Sequence, residues 1–500
     1  MRNLSGVFHK KNVLILFSVI FLLGAFLRFY HLGTESLWND EIETYTICSY
    51  DNFSDVMNKG ILSDIHPPAH YILTHYVIKY FGDSEFAMRF PSVLAGIFCI
   101  LFIFLIGVQL YSYREGLLAA LMMAVSFPGI QYSQEARAYS LLLLFTLMAM
   151  YFWIHILAKV DSASPIKKSV IICYILSAVI ACYLHFFGLF FIALHACGIL
   201  FLLIKKKRII WPVVIMYSLI FIAFVPWIPV MLGTMQRGDM VSWIGRPSSS
   251  AFFKTHSFFF GNSDGISGLA LLAYIILFFR YIKTKEKSYI LQTTIASSLL
   301  VVLWLFLPFT IIYIKSLISA PLLIGRYLII SLAAAYLLFS RSILELPIKS
   351  KKRNGVMLGV ILLMFAHLLF FKQYYTRPQK EQYREAVEFI TEQNKNYGNS
   401  LILGYNDTPR KNVNKEVLNY YFERIRADKK VELVAGKKED IVKVRNIVEK
   451  EKPEYIWFFK AHGHTDKEFM DFISTHFNLV LHKKFKGTEV LLLKNEEKRS

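Results

Sequence analysis

Five short strings carry residue types that could do chemistry. The first is Leu37-Trp38-Asn39-Asp40-Glu41, with two adjacent carboxylates. A carboxylate near an acceptor hydroxyl can take its proton as a general base. Sequence neighbours do not face one point on a regular helix, so one carboxylate is expected to act and the other to position it or hold a cation. The plainer alternative is a solvated acidic loop with an interfacial Trp. The second string is His66-Pro67-Pro68-Ala69-His70-Tyr71. Its prolines force an extended entry into a following helix, and His66 either caps that turn or faces the same pocket as the carboxylates. The third is Tyr132-Ser133-Gln134-Glu135-Ala136-Arg137-Ala138-Tyr139. Here Glu135 and Arg137 form a membrane-edge ion pair or, being two apart, each seek a distant partner. The fourth, Tyr183-Leu184-His185-Phe186-Phe187-Gly188, has a lone His in an apolar setting, either structural or facing the pocket. The fifth joins Lys315 to Gly325-Arg326-Tyr327. An Arg in an apolar stretch must snorkel or meet an anion.

The elements that must position these residues are membrane spans. Of 500 residues, 55% are hydrophobic and 18% charged, against about 25% charge in ordinary soluble domains; mean hydropathy is +0.43. Runs free of charge cover 12–27, 90–113, 116–134, 138–158, 169–204, 209–236, 265–279, 288–314, 327–340 and 354–371. A spanning helix needs about 20 residues, so the run 169–204 predicts two helices with a break near His185–Gly188. Basic clusters at Arg2/Lys10/Lys11, Arg114, Lys159/Lys167/Lys168, Lys205–Arg208, Arg280/Lys283/Lys285/Lys287 and Arg341/Lys349/Lys351/Lys352/Arg353 separate the runs. If each is cytoplasmic, the intervals between them hold hairpins, which predicts 11 spans and an external C-terminus. The 13 residues Ala69–Phe81 are too few to cross and suit a helix lying at the interface.

The net charge of +20 raises the question of nucleic acid, but its distribution argues against that partner. Residues 373–500 hold 25 Lys+Arg against 20 Asp+Glu, and most other basic residues flank apolar runs. The first external loop, 31–85, holds nine of the 16 acidic residues that precede 373. Five cysteines without a CxxC pair indicate neither a disulfide framework nor a zinc ribbon. From about Gln373 the pattern changes to strand-sized apolar stretches (Ser400–Tyr405, Val431–Val434, 455–459, 490–493) alternating with charged helical segments (381–393, 438–450). That pattern predicts a small α/β domain over 373–500, following a membrane domain over 1–372. The topology then gathers the carboxylates, the histidines, Arg137, Lys315 and Arg326 on one membrane face. Together they offer a base for an acceptor hydroxyl and cations for a phosphate leaving group.

The strings Trp38-Asn39-Asp40-Glu41, His66-Pro67-Pro68, 81–92 (FGDSEFAMRFPS) and 133–139 (SQEARAY), in that order, resemble the bacterial and archaeal GT-C glycosyltransferases of the protein-mannosyltransferase and aminoarabinose-transferase type. Gly325-Arg326-Tyr327 and Tyr383-Arg384-Glu385-Ala386-Val387 are similar to the same family. The resemblance spans most of 20–390 and is most specific in the first 140 residues. It implies a GT-C-like polytopic α-helical membrane protein of the cell envelope with an extracytoplasmic α/β tail. The implied donor is a polyprenyl-phosphate-linked sugar, transferred with inversion to a lipid, glycan or protein hydroxyl. By resemblance Asp40 is the base with Glu41 beside it, and Arg137, Arg326 and Lys315 face the donor phosphate. Glu135, His66, Tyr139 and His185 complete the pocket. Some members use a divalent cation and others do not, so Glu41, His66 and His185 stand as candidate ligands. A flippase for lipid-linked saccharides, a non-catalytic glycan-assembly protein and a transferase with a diphosphate donor are the competing readings. The absence of an internal repeat argues against the first.

Overall fold

The computed structural model describes residues 11–205, 207, 210–236, 244–283, 289–397, 400–405, 413–425, 431–434, 440–461 and 467–495. The topology markers Arg2, Lys10, Lys206, Arg208, Lys285 and Lys287, and the expected helix start at Lys438, lie outside those residues. The chain divides into two compact units. One comprises 1–32, 50–82 and 86–373; the other comprises 33–49, 83–85 and 374–500.

The first unit is helical. Among the described residues nine helices are long and apolar enough to cross a membrane: Lys11–Phe29, Glu85–Leu110, Tyr139–Asp161, Phe186–Lys205, Trp211–Thr234, Asp264–Lys283, Thr294–Ile318, Gly325–Leu344 and Ser350–Phe371. A bent pair, Tyr113–Val125 and Phe127–Gln134, makes a tenth, and the 17-residue apolar helix Lys168–Leu184 accounts for the eleventh expected span. The chain is therefore a multi-pass membrane protein. Burial separates its inner and outer helices. Gly325–Leu344 is 89% buried, whereas Ser350–Phe371 is 17% buried and turns leucines and phenylalanines outward.

Two breaks in these helices prepare the site. The expected break near His185 is present: Lys168–Leu184 ends on His185, whose backbone is extended, and Phe186–Lys205 begins at once. Gly188 permits the tight return, because a Cβ there would lie 2.0 Å from the Ala181 carbonyl oxygen. The second break bends the chain by 62° after Val125. Pro128 has no N–H to offer the carbonyl four residues back, which belongs to Ala124. Arg28, fully buried, fills that vacancy by donating to the carbonyls of Ala124 at 3.1 Å, Met123 at 2.9 Å and Gly24 at 3.1 Å. Ser126 starts the next helix by accepting the Gly129 N–H. The helix Ala69–Phe81 occupies the expected residues and stops at Gly82, whose φ of +83° favours glycine.

The second unit is built on a five-stranded sheet. Its strands are β1 (Ser400–Tyr405), β2 (Val431–Val434), β3 (Tyr455–Ala461), β4 (Phe477–Phe485) and β5 (Thr488–Asn495), in the order β2-β1-β3-β5-β4. The first three are parallel, with crossover helices Val413–Arg424 and Asp440–Glu451. The last two form an antiparallel hairpin through Gly487, with β5 beside β3. Apolar residues Leu401, Leu403, Ile456, Phe458 and Leu493 pack with Val444, Val448 and Phe469 into its core. The sequence pattern missed β4, most of whose side chains are exposed and whose short apolar run 479–481 gives way to His482-Lys483-Lys484. It also missed the helices Val413–Arg424 and Lys467–His476.

Candidate active site

Within the helical unit, the loop before Ala69–Phe81, the turn after the bent pair and the His185 break converge. Asp64 organises the first of these. Its buried carboxylate accepts the His66 backbone N–H at 2.8 Å, His66 Nδ1–H at 2.7 Å and the Tyr71 hydroxyl at 3.0 Å. An ionised carboxylate only accepts, so Nδ1 of His66 carries a proton and its Nε2 points away from Asp64. Burial raises the pKa of Asp64, but the charge and hydrogen bonds of His66 and the charge of Arg137 outweigh it. The group is held well below the usual carboxylate range.

Residues 133–138 are pinned through their backbone. His70 Nε2 donates to the Ala136 carbonyl at 3.0 Å, and Ser92 donates to that of Arg137 at 3.2 Å. Gln134 donates to the carbonyls of Arg28 and Tyr30, both at 2.8 Å. Glu135 is buried and accepts from Gln131. These contacts hold Arg137 and Tyr139 against the turn at His185, and a small cavity is left among His66, Tyr71, Arg137, Tyr139 and His185. Its volume of about 10 Å³ is room for roughly one water molecule.

His185 is the most informative member. Its Nδ1 accepts the Phe187 N–H at 3.1 Å, which puts the proton of a neutral ring on Nε2. That nitrogen is buried and has no hydrogen-bond partner among the described residues. Burial, followed by the positive charges of His66, Arg137 and Arg326, holds its pKa well below the imidazole range. His185 is therefore a neutral N–H donor. Its ring lies 5.6 Å from that of His66, 6.0 Å from Tyr139 and 5.3 Å from Tyr327. The Arg326 guanidinium lies 5.8 Å from the Tyr139 ring centroid and 6.0 Å from that of Tyr327. Gly325, one residue earlier, lines a larger cleft of about 300 Å³ with Arg246, Lys254, Thr255 and Asn262. Lys315 instead donates to the Ala320 carbonyl just beyond its own helix, and no contact links it to His185 or Arg137.

In the second unit Asp40 and Glu41 begin the helix Asn39–Cys48. Their environments differ. Glu41 is fully buried; its carboxylate accepts the Trp38 N–H at 3.3 Å and pairs with Lys380 Nζ at 3.3 and 3.4 Å. Asp40 is partly exposed. Burial and the charges of Glu381 and Asp40 push the Tyr383 phenol well up. The strand-like entry to this helix is tied down by Ser36, which donates to the Glu381 carbonyl at 2.5 Å, and by Leu37, whose N–H reaches the Tyr421 hydroxyl at 2.6 Å. Asp83 and Glu85 pair with Arg424, and Glu85 also with Arg384.

Five of the residues expected from sequence thus come together in the helical unit: His66, Arg137, Tyr139, His185 and Arg326. Asp64, Tyr71 and Lys380 escaped notice. The Asp-x-His spacing of 64–66 is a signal for the first, since an Asp readily accepts the N–H two residues on; nothing local marks Lys380. Among the described residues no group of three or more His, Cys, Asp and Glu is placed to hold a metal ion. Glu41 is committed to Lys380 and His185 Nδ1 to Phe187. The candidate ligands therefore fall short of the three protein donors a zinc site keeps.

Comparison with known proteins agrees with this architecture. Residues 65–232 match the family model described as dolichyl-phosphate-mannose-protein mannosyltransferase. No curated protein matches the sequence significantly. Among solved structures, apo ArnT from Cupriavidus metallidurans is similar with a TM-score of 0.55 at 11% identity, over 96% of this chain and 97% of that one. ArnT bound to undecaprenyl phosphate is similar at 0.52 and 12%, over 97% and 98%. The oligosaccharyltransferase AglB from Archaeoglobus fulgidus, in complex with an inhibitory peptide and a dolichol-phosphate, is similar at 0.55 and 11%, over 90% and 70%. At such identities the likeness establishes a shared fold. The family match adds the segment that contains His66, Arg137, Tyr139 and His185.

Proposed function

We propose that this GT-C-type glycosyltransferase moves a sugar from a polyprenyl-phosphate donor to an acceptor hydroxyl at the extracytoplasmic membrane face. The observation that best supports the reading is the cluster in the helical unit. The Arg137 guanidinium and a neutral, fixed-tautomer imidazole N–H line a small cavity, and the Arg326 guanidinium lies 5.8 Å from the ring of Tyr139, which also lines it. A buried Arg137 with a second, partly buried guanidinium nearby suits a phosphate, since charge-assisted N–H contacts are strongest where water is excluded. ArnT and AglB, named above with undecaprenyl phosphate and dolichol-phosphate, support a lipid-phosphate donor. The cavity is too small for a phosphate as it stands, so donor binding requires the side chains around it to part.

In the proposed reaction the acceptor oxygen attacks the anomeric carbon in a single in-line displacement. Asp40 takes the hydroxyl proton, the new C–O bond forms, and the bond to the phosphate oxygen breaks. The electron pair stays on the polyprenyl phosphate, whose charge Arg137 and Arg326 balance. This inverts the anomeric centre. The order of the motifs supports the role of Asp40, and its partial exposure suits a base better than buried Glu41. Lys315 is given no part, since it is occupied beside its own helix. The basic clusters support a cytoplasmic side opposite the site and an external tail 373–500 behind a membrane domain 1–372.

The test is to reconstitute the purified protein with a panel of polyprenyl-phosphate sugars and follow glycosylated product, lipid translocation and binding separately. Product formation is expected. Translocation without transfer would support a flippase, and binding alone an assembly protein. Asp40→Asn should lower turnover by about 10²–10⁴-fold, the usual contribution of a general base, with folding intact. Full activity in that variant would remove Asp40 from the mechanism.

A further inference from the structure

We infer that Lys380, at the start of the tail, is a positioning residue for the acidic pair, and that it acts by holding Glu41 and with it the helix start that carries Asp40. This rests on the glycosyl-transfer reading above and concerns contacts within one unit. Two adjacent carboxylates at a helix start repel each other, and a fully buried one without a partner would protonate or drag the chain toward solvent. Glu41 is fully buried, with no exposed surface. The Lys380 ammonium, itself 8% exposed, lies against both of its oxygens.

The same carboxylate has a second task. It accepts the Trp38 N–H at the start of the helix whose second residue is Asp40. An ion held at one end of Glu41 therefore sets the helix start at the other. Neighbouring contacts favour the same geometry. Tyr383 N–H donates to Ser36 Oγ at 3.1 Å, and Ser36 in turn donates to the Glu381 carbonyl. The tail residues 380–383 thereby grip 36–41 at two points, one ionic and one through the backbone. Asp40 sits one residue beyond the ionic point, and Thr44 Oγ1 donates to its carbonyl at 3.0 Å.

Breaking such a pair while leaving Glu41 charged should displace Asp40, and a 1 Å misplacement of a reacting group can cost about 10²-fold in rate. Four forms are compared with the full-length protein: wild type, Lys380→Met, Glu41→Gln and the double variant. Lys380→Met is expected to lower kcat by about 10²-fold with the donor KM little changed. Hydrogen exchange in Asn39–Cys48 is expected to rise. In the Glu41→Gln background, where a neutral amide can still accept the Trp38 N–H, adding Lys380→Met is expected to cost little more, and Lys380→Arg alone should retain most activity.

Wild-type kcat in Lys380→Met overturns the inference. So does an equal loss from Lys380→Met in both backgrounds, because Lys380 would then act on substrate rather than through Glu41. If Lys380→Met does not fold, the comparison of Glu41→Gln with the double variant still decides. A wild-type protein that transfers no sugar from any polyprenyl phosphate defeats the function above. The exchange data in Asn39–Cys48 then still report whether Lys380 holds the helix start.

Discussion

His185 shows how much a single side chain can say about its surroundings. The Phe187 N–H occupies Nδ1, so the ring presents Nε2–H to the cavity, and burial first, then the positive charges around it, keep it neutral. In the unfolded chain the same ring titrates near 6.5. Its folded pKa is lower, so between the two values the unfolded state binds the extra proton, and stability rises with pH through that window. The contribution is complete above about pH 6.5 and is lost as pH falls toward the folded value. The melting temperature in detergent should therefore drop between pH 7.5 and pH 5, and drop less in His185→Gln. An unchanged pH slope in that variant would assign the effect elsewhere. Asp64 supplies a second prediction. Asp64→Ala leaves His66 Nδ1 and the Tyr71 hydroxyl without their acceptor, and each buried group so orphaned costs about 1–3 kcal/mol. The expected result is a lowered melting temperature in detergent, with the donor KM raised because His66 is no longer oriented.

At the scale of elements, the site depends on two interruptions in apolar helices. Without the break at His185, Lys168–Leu184 would run on into Phe186–Lys205 and the imidazole would lie on a continuous helix face. Without Pro128, the helix from Tyr113 would run on past Val125, and Glu135 to Tyr139 would not form a pinned turn. Arg28 makes the second break affordable by taking the carbonyls it releases. Arg28→Met is expected to leave those carbonyls unpaired at about 1–3 kcal/mol each. Thermal unfolding would read the loss, and a cysteine placed at Ser133, which is buried, should become reactive to thiol reagents. If that cysteine stays protected, the turn does not depend on the guanidinium.

At the scale of the molecule, the C-terminal residues are part of the unit that holds the acidic string. Segments 33–49 and 83–85 group with 374–500, and their charged and polar groups are met by Lys380, Arg384, Tyr421 and Arg424. Truncation at 373 should consequently abolish turnover while leaving an inserted helical protein. Protease sensitivity within 33–49 should rise in the truncated chain. Retention of activity would mean that the tail serves another purpose.

The sequence by itself determined the membrane class, the eleven apolar helices, the break at His185, the helix Ala69–Phe81, and the three parallel strands with β5 beside them. These are local matters, decided by the length and period of apolar runs and by proline and glycine at particular positions. It also singled out His66, Arg137, Tyr139, His185 and Arg326, since polar groups in apolar surroundings are conspicuous in a linear reading. Only the tertiary structure decided which partners they have. Arg28 on the released carbonyls of Met123 and Ala124 and Lys380 on Glu41, 339 residues away, are pairings across the chain. Nothing in the residues between them encodes such contacts. They arise when buried charge, brought inside by packing, must find its counter-charge or remain too costly to bury.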